Sequence, residues 1–228
     1  MERVVVLIPA FNEEKAISKV IMEIPKELVH EIIVVNNNST DNTGEVARDA
    51  GATVLDQPAK GYGHACMKGI RYVSEHYDEN CIIAFLDGDF SDYPSQLTRI
   101  VRPIVEEDYD LVVGSRLAGK REKGSMTFPQ VFGNRLATFL LNLFFGVKFT
   151  DLGPMRAIRV GKLEKLEMKE MMYGWTVEMQ LKAAKLKYKI KEAPVDYRKR
   201  IGYSKVSGTV KGTALAGYRI IFVILKHL

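Results

Sequence analysis

The chain has 228 residues, 46% hydrophobic and 27% charged, with 33 Lys and Arg against 28 Asp and Glu for a net charge of +5. That length can bury a full core within one domain, and the composition is ordinary for a soluble globular protein. The mild basic excess suits anionic ligands or an anionic membrane face and argues against a nucleic-acid coat.

Met1-Glu2-Arg3 leads directly into a β-branched apolar run over residues 3–8, so no signal peptide is expected. The run ends at Pro9, and the polar stretch to Glu14 reads as a loop before a helix over 15–26. Residues 31–35 predict a second strand, 36–41 a polar loop, and 43–50 a short helix. A third short strand over 53–55 precedes Lys60-Gly61-Tyr62-Gly63 and a helix to about residue 76. The fourth strand spans 81–86, Pro94 opens the next helix, and 110–114 supplies a fifth strand. Repeated strand-loop-helix units predict an α/β fold with a wound, mainly parallel sheet and helices on both faces.

After Arg116 the pattern changes. Residues 117–128 form a polar, basic loop that precedes a helix over 129–145, and 151–154 make a turn before a short strand at 155–158. Val177, Leu181 and Ala184 recur at helical spacing within a helix over 175–185. A strand over 187–194, a second basic loop over 195–207 and a helix over 209–226 complete the chain, which reads as one domain.

Cys66 and Cys81 are too few for a disulfide framework, read as core residues, and point to a reducing, cytoplasmic location. The apolar stretches at 136–147 and 214–225 span roughly 18 Å each as helix against a hydrocarbon core of roughly 30 Å, so neither crosses a bilayer. They could form an apolar face flanked by Lys148, Lys211, Arg219 and Lys226 that lies on the inner membrane surface. Core packing with a homodimer contact, or a membrane-protein partner, is the alternative covering.

The chemistry centres on Asp87-Gly88-Asp89, directly beyond the six apolar residues of the fourth strand. Ligands of open α/β sheets bind at this carboxyl edge, and two carboxylates hinged on a glycine can face one hard cation such as Mg²⁺ or Mn²⁺. The bland alternative is turn chemistry. A Gly-x-Gly-x-x-Gly turn and a Walker A loop are both missing, which argues against dinucleotide enzymes and P-loop phosphoryl transfer. The four histidines have no metal-ligand spacing.

Six segments then occur in a telling order: Val-Leu-Ile-Pro-Ala-Phe-Asn-Glu-Glu at 6–14, the loop at 35–43, Lys60-Gly61-Tyr62-Gly63, Asp87-Gly88-Asp89, Gly114-Ser115-Arg116 and Arg200-Ile201-Gly202-Tyr203-Ser204-Lys205. In this order the chain resembles family 2 glycosyltransferases over nearly its whole length, and most of all the dolichol-phosphate mannose and glucose synthases. The resemblance implies a GT-A fold, a nucleotide-sugar donor and a divalent metal, with 1–115 as the donor half and 116–228 as the acceptor half. Pro9, Ala10, Asn12 and Glu13 would line the nucleoside site, with Asn37 at the base, Lys60 and Gly61 near the phosphates, and Gly88 between the aspartates. Asn36-Asn37-Asn38 departs from the family's acidic pair, and an amide leans toward a pyrimidine donor such as UDP-glucose, with GDP-mannose the other option.

Asp87 and Asp89 would hold the metal, with Ser91 where the mannose synthases carry a glutamine, or Asp92 in its stead. Arg116, Arg198, Arg200, Ser204 and Lys205, with Arg135 in a shifted register, would gather around the phosphates of donor and acceptor. A polyprenyl or dolichyl phosphate is already nucleophilic at neutral pH and needs no protein base. A hydroxyl acceptor would need one, and Glu178 is the first candidate and Asp151 the second. Glu178 could equally be structural. The rival readings are a glycosyltransferase acting on a glycan or small-molecule hydroxyl, a sugar nucleotidyltransferase and a non-catalytic nucleotide-sugar binder.

Overall fold

The computed structural model describes residues 2–204 and 210–227. Strands β1 (Val4–Ala10), β2 (Glu31–Asn36), β3 (Thr53–Asp56), β4 (Ile82–Phe85) and β5 (Leu111–Ser115) alternate with helices α1 (Ile17–Glu23), α2 (Thr43–Asp49), α3 (Tyr62–His76) and α4 (Thr98–Glu107). Beyond them follow α5 (Phe128–Phe145), β6 (Arg156–Arg159), α6 (Val160–Glu164), α7 (Trp175–Lys185), β7 (Ile190–Pro194) and α8 (Val210–Lys226). The strands form one sheet in the order β3-β2-β1-β4-β6-β5-β7. β6 alone runs antiparallel, between β4 and β5.

Both faces of the sheet are covered, which explains why its central strands read as unbroken apolar runs. Val5 and Leu7 of β1 join Ile83 and Phe85 of β4 in a core roofed by α3, α5, α7 and α8. Their neighbours Val6, Ile8, Ile82 and Ala84 point the other way, against α1 and α4. The two-residue period of a strand thus divides one apolar sequence between two cores. Cys66 and Cys81 are buried and unpaired.

Some boundaries differ from the expectation for local reasons. α1 stops at Glu23, short of residue 26, because Ile24 precedes Pro25 and takes the extended conformation, with ψ of 129°. Pro94 opens a short 3-10 turn, Pro94–Gln96, and α4 begins only at Thr98. α6 was not anticipated. Five residues are too few to display a helical period.

Because β1 to β5 are parallel apart from the inserted β6, their carboxyl ends share one edge. The 151–154 turn reaches the same edge, since β6 runs in the opposite sense and starts there. That edge carries every loop expected to hold chemistry.

Candidate active site

A cavity of about 780 Å³ opens at this edge. Pro9, Ala10 and Glu13 line it from the β1 loop, Asn37 from the β2 loop, and Lys60 and Gly61 from the turn before α3. Asp87, Gly88 and Asp89 close its floor beyond β4, and Arg116, Arg200 and Ser204 line it from the second half of the chain. The cavity then continues between α5 and α8, past Phe132, Leu136, Ile220 and Ile221.

The donor-side loop is fixed from several directions. Asn37 is buried, and its Nδ2 donates to the carbonyls of Gln57 (3.2 Å) and Ala59 (2.6 Å) while its Oδ1 accepts from the Gly61 N–H at 2.9 Å. Its amide therefore fastens the 57–61 segment, which weakens the reading of Asn37 as a reader of the base. Gly61 takes φ of 144°, and a Cβ there would stand 2.5 Å from the Met171 carbonyl; one on Gly63 would stand 2.2 Å from that of Glu170. Glycine is required at both positions, by sterics at each and by conformation at the first. Asn12 lies outside the cavity lining: its Nδ2 donates to Thr40 Oγ1 at 3.2 Å and its Oδ1 accepts from the Thr40 N–H at 2.8 Å. It joins two loops of the site edge.

The aspartates are set in contrasting surroundings. Asp87 accepts from the Tyr62 hydroxyl at 3.3 Å. Burial raises its pKa, while Arg200 and Arg116 pull it back down. Asp89 is buried. Its Oδ1 takes the Ser91 N–H (2.8 Å) and the Ser91 hydroxyl, and its Oδ2 pairs with the Arg200 guanidinium. Ser91, expected as a metal ligand, orients Asp89 through these two bonds. Asp92 is also buried, and neither of its carboxylate oxygens has a hydrogen-bond partner among the described residues.

The basic residues divide sharply. Arg116 binds Asp151 bidentately, at 2.8 Å through Nε and 2.7 Å through Nη2, with its guanidinium 5.0 Å from the Tyr197 ring centre. Burial opposes its charge, but Asp151 outweighs this and holds it protonated. Arg198, expected at a phosphate, is a brace instead: it pairs with Glu23 at 2.5 Å, donates to the Phe90 carbonyl at 2.7 Å and stacks over Phe90 and Tyr93. Arg135 is exposed on α5, outside the cavity lining. Lys205 lies outside the described residues.

Neither candidate base is available in this arrangement. Glu178 is buried in the first turn of α7, away from the cavity lining. It accepts from the Lys169 N–H (3.0 Å) and the Glu170 N–H (2.7 Å) and pairs with Lys182 at 2.8 Å. The structural alternative for this residue fits the geometry, with a lysine and two amides as partners. Asp151 is fully occupied by Arg116.

Two residues near the site were not singled out from sequence. Tyr62, which meets Asp87, sits within a segment already noted, and its motif was the available signal. Arg156 is fully buried in β6, donates to the carbonyls of Thr176 (2.9 Å) and Leu152 (3.0 Å), and among the described residues its Nε has no partner. Burial lowers its pKa to about 10. It pairs in register with Phe85, two residues before Asp87, and this placement depends on an antiparallel pairing that no sequence pattern announces.

Asp87 and Asp89 suit a divalent ion in number and charge. Among the described residues no three His, Cys, Asp or Glu side chains form a ready cluster. Two carboxylates are nonetheless what a protein offers when substrate phosphates and water complete a Mg²⁺ shell. Burial raises the pKa of Asp87, and Asp92 has no hydrogen-bond partner for either oxygen among the described residues, so a cation bound here would favour the ionised form of both carboxyls.

Residues 5–167 match the family model for glycosyl transferase family 2. The chain is 31% identical over 230 residues to a dolichyl-phosphate hexose transferase of Haloferax volcanii, covering 97% of this chain and 94% of the relative. It is 31% identical over 218 residues to an uncharacterized glycosyltransferase of Mycobacterium bovis, covering 94% of each. Glucosyl-3-phosphoglycerate synthase from Mycobacterium tuberculosis, solved with Mn²⁺, UDP and glucosyl-3-phosphoglycerate, superposes with a TM-score of 0.75 at 22% identity, over 99% of this chain and 79% of that one. That likeness is one of fold, and the fold is GT-A.

Proposed function

The chain belongs to glycosyl transferase family 2, and from that premise we propose that it moves a hexose from a nucleotide diphosphate sugar to a polyprenyl or dolichyl phosphate at a membrane surface. The observation that carries this reading is the shape of the cavity. One end holds Asp87, Asp89, Arg116 and Arg200, and the other is walled by apolar residues of α5 and α8. A phosphate joined to a hydrocarbon chain matches both ends at once. The name of the Haloferax volcanii relative supports the same acceptor class.

The outer surface of the two helices adds support. Phe128 (82% exposed), Phe132 (60%), Phe139 (59%) and Leu143 (61%) fall on one face of α5, and Leu215, Tyr218, Phe222 and Leu225 are exposed along α8. An apolar face continuous with the mouth of the cavity suits lipid, with Lys148 and Lys226 exposed at its margins. Arg219 is less suited to that role, since it pairs with Glu170 at 2.9 Å. No helix among the described residues is long and apolar enough to cross a membrane, so contact through a face is the mode proposed.

In the proposed reaction an oxygen of the lipid phosphate attacks the anomeric carbon, the bond from that carbon to the diphosphate breaks, and configuration inverts. Asp87 and Asp89 would hold Mg²⁺ or Mn²⁺, which when bound offsets the charge gathering on the departing diphosphate. Arg116 and Arg200 line the part of the cavity where both phosphates would lie, while Lys60 lines the donor side, 5.4 Å from the Phe11 ring centre. A phosphate monoester needs no base, in keeping with the engagement of Glu178 and Asp151 elsewhere. UDP-glucose is the donor to try first. Purified protein incubated with Mn²⁺, labelled UDP-glucose and polyprenyl phosphate should send label into the organic phase, and chelation should abolish it. Label appearing instead on phosphoglycerate, or only as free sugar, would contradict the lipid acceptor.

A further inference from the structure

The Asp89 carboxylate is engaged at both of its oxygens. Ser91 occupies one oxygen through its N–H and hydroxyl, and Arg200 occupies the other. The loop around Arg200 is stitched onto the aspartate turn as well: the Ile201 N–H donates to the Asp89 carbonyl at 2.9 Å, and the Arg198 N–H to that of Ser91 at 2.9 Å. A divalent ion at Asp89 Oδ2 competes with the guanidinium held there, because two cations at one oxygen repel each other.

The other arginines nearby are differently committed. Arg116 is clamped by Asp151, and Arg198 by Glu23 and the Phe90 and Tyr93 rings. Arg200 lines the cavity with its side chain 28% exposed. Expelled from Asp89, it can turn within the cavity toward an anion.

Building on the proposed function, we propose that Arg200 is a placeholder cation. It neutralises Asp89 in the metal-free protein and is displaced when a divalent ion arrives, which frees it to bind the acceptor phosphate. Metal and donor then bind before acceptor, and the two events are thermodynamically coupled. The ordering keeps the acceptor phosphate from being bound productively before a sugar is in place.

The test reads binding rather than turnover. Mn²⁺ titrations followed by electron paramagnetic resonance compare the wild-type protein with Arg200→Gln and Arg200→Lys, without nucleotide. The placeholder role predicts Mn²⁺ binding about tenfold tighter in Arg200→Gln, the gain expected from removing a competing, partly buried ion pair, with Arg200→Lys in between. In parallel, calorimetry with a short-chain prenyl phosphate should show wild-type affinity rising when Mn²⁺ and UDP are added, and a weak, Mn²⁺-independent affinity in Arg200→Gln. Equal or weaker Mn²⁺ binding by Arg200→Gln overturns the placeholder and leaves the glycosyltransferase reading intact. Failure of the wild-type protein to bind Mn²⁺ even with UDP removes the metal site and the placeholder together.

Discussion

Asp92 shows how the burial of a single carboxyl can make stability depend on pH. It is buried with no hydrogen-bond partner for either oxygen among the described residues, and burial first, then the Asp87 charge, push its pKa from 3.8 up to about 7 against the opposing pull of Arg116. The folded protein therefore holds this proton more tightly than the unfolded chain does. The contribution of Asp92 to stability falls as pH rises from 3.8 to about 7 and is fully lost above that window. Asp92→Asn should raise the melting temperature of the metal-free protein at pH 8, by the equivalent of about 2 kcal/mol, and leave it unchanged near pH 4. A pH-independent effect, or a loss of stability at pH 8, would contradict this account. Asn37 poses a related question. An aspartate there could not donate to the Gln57 and Ala59 carbonyls, so Asn37→Asp should cost about 1–3 kcal/mol and raise the donor KM by a similar factor for UDP- and GDP-sugars. A change confined to one base would restore Asn37 as its reader. Asp87 and Asp89 were legible in the sequence because a strand end fixes where they sit. The roles of Asn37, Ser91 and Arg198 were not, because residue type does not reveal which tertiary partner has already claimed its hydrogen bonds.

At the scale of elements, the turn before α7 and the pair α5 and α8 matter most. Glu178 gathers two backbone amides and Lys182 near the positive end of α7, a favourable place for a carboxylate. Glu178→Gln should therefore lower stability by about 1–3 kcal/mol while leaving kcat near normal in the folded fraction, as measured by urea denaturation alongside activity. A kcat loss of about 100-fold in fully folded protein would restore the base role. α5 is apolar on most sides in sequence, so its existence as a helix was readable while its solvent-facing stripe was not. Only the packing of Ala137 and Leu141 into the core identifies the outer face. Replacing Phe132 and Phe139 together by serine should weaken binding to anionic vesicles by about tenfold or more in flotation, since each ring would otherwise leave water for lipid. Unchanged flotation would remove that face as the membrane contact. The antiparallel insertion of β6 was likewise hidden, because a four-residue strand carries no mark of its direction.

Across the whole molecule, a wound sheet was readable because strand, loop and helix recur at regular spacing from residue 3 to residue 116. The later half, with one reversed strand and two long helices, gave a weaker signal and supplies what distinguishes this site: a polar cleft that opens into an apolar one. On the proposed function, one cavity takes both a phosphate and its hydrocarbon chain. The most direct measurement is kcat/KM for a graded set of acceptors, from phosphoglycerate through short prenyl phosphates to long polyprenyl phosphates, at fixed donor and Mn²⁺. The cavity predicts that kcat/KM climbs with each added isoprene unit until the groove between α5 and α8 is filled, because each buried CH₂ contributes about 0.8 kcal/mol. A flat response to chain length, or a preference for phosphoglycerate, would contradict it.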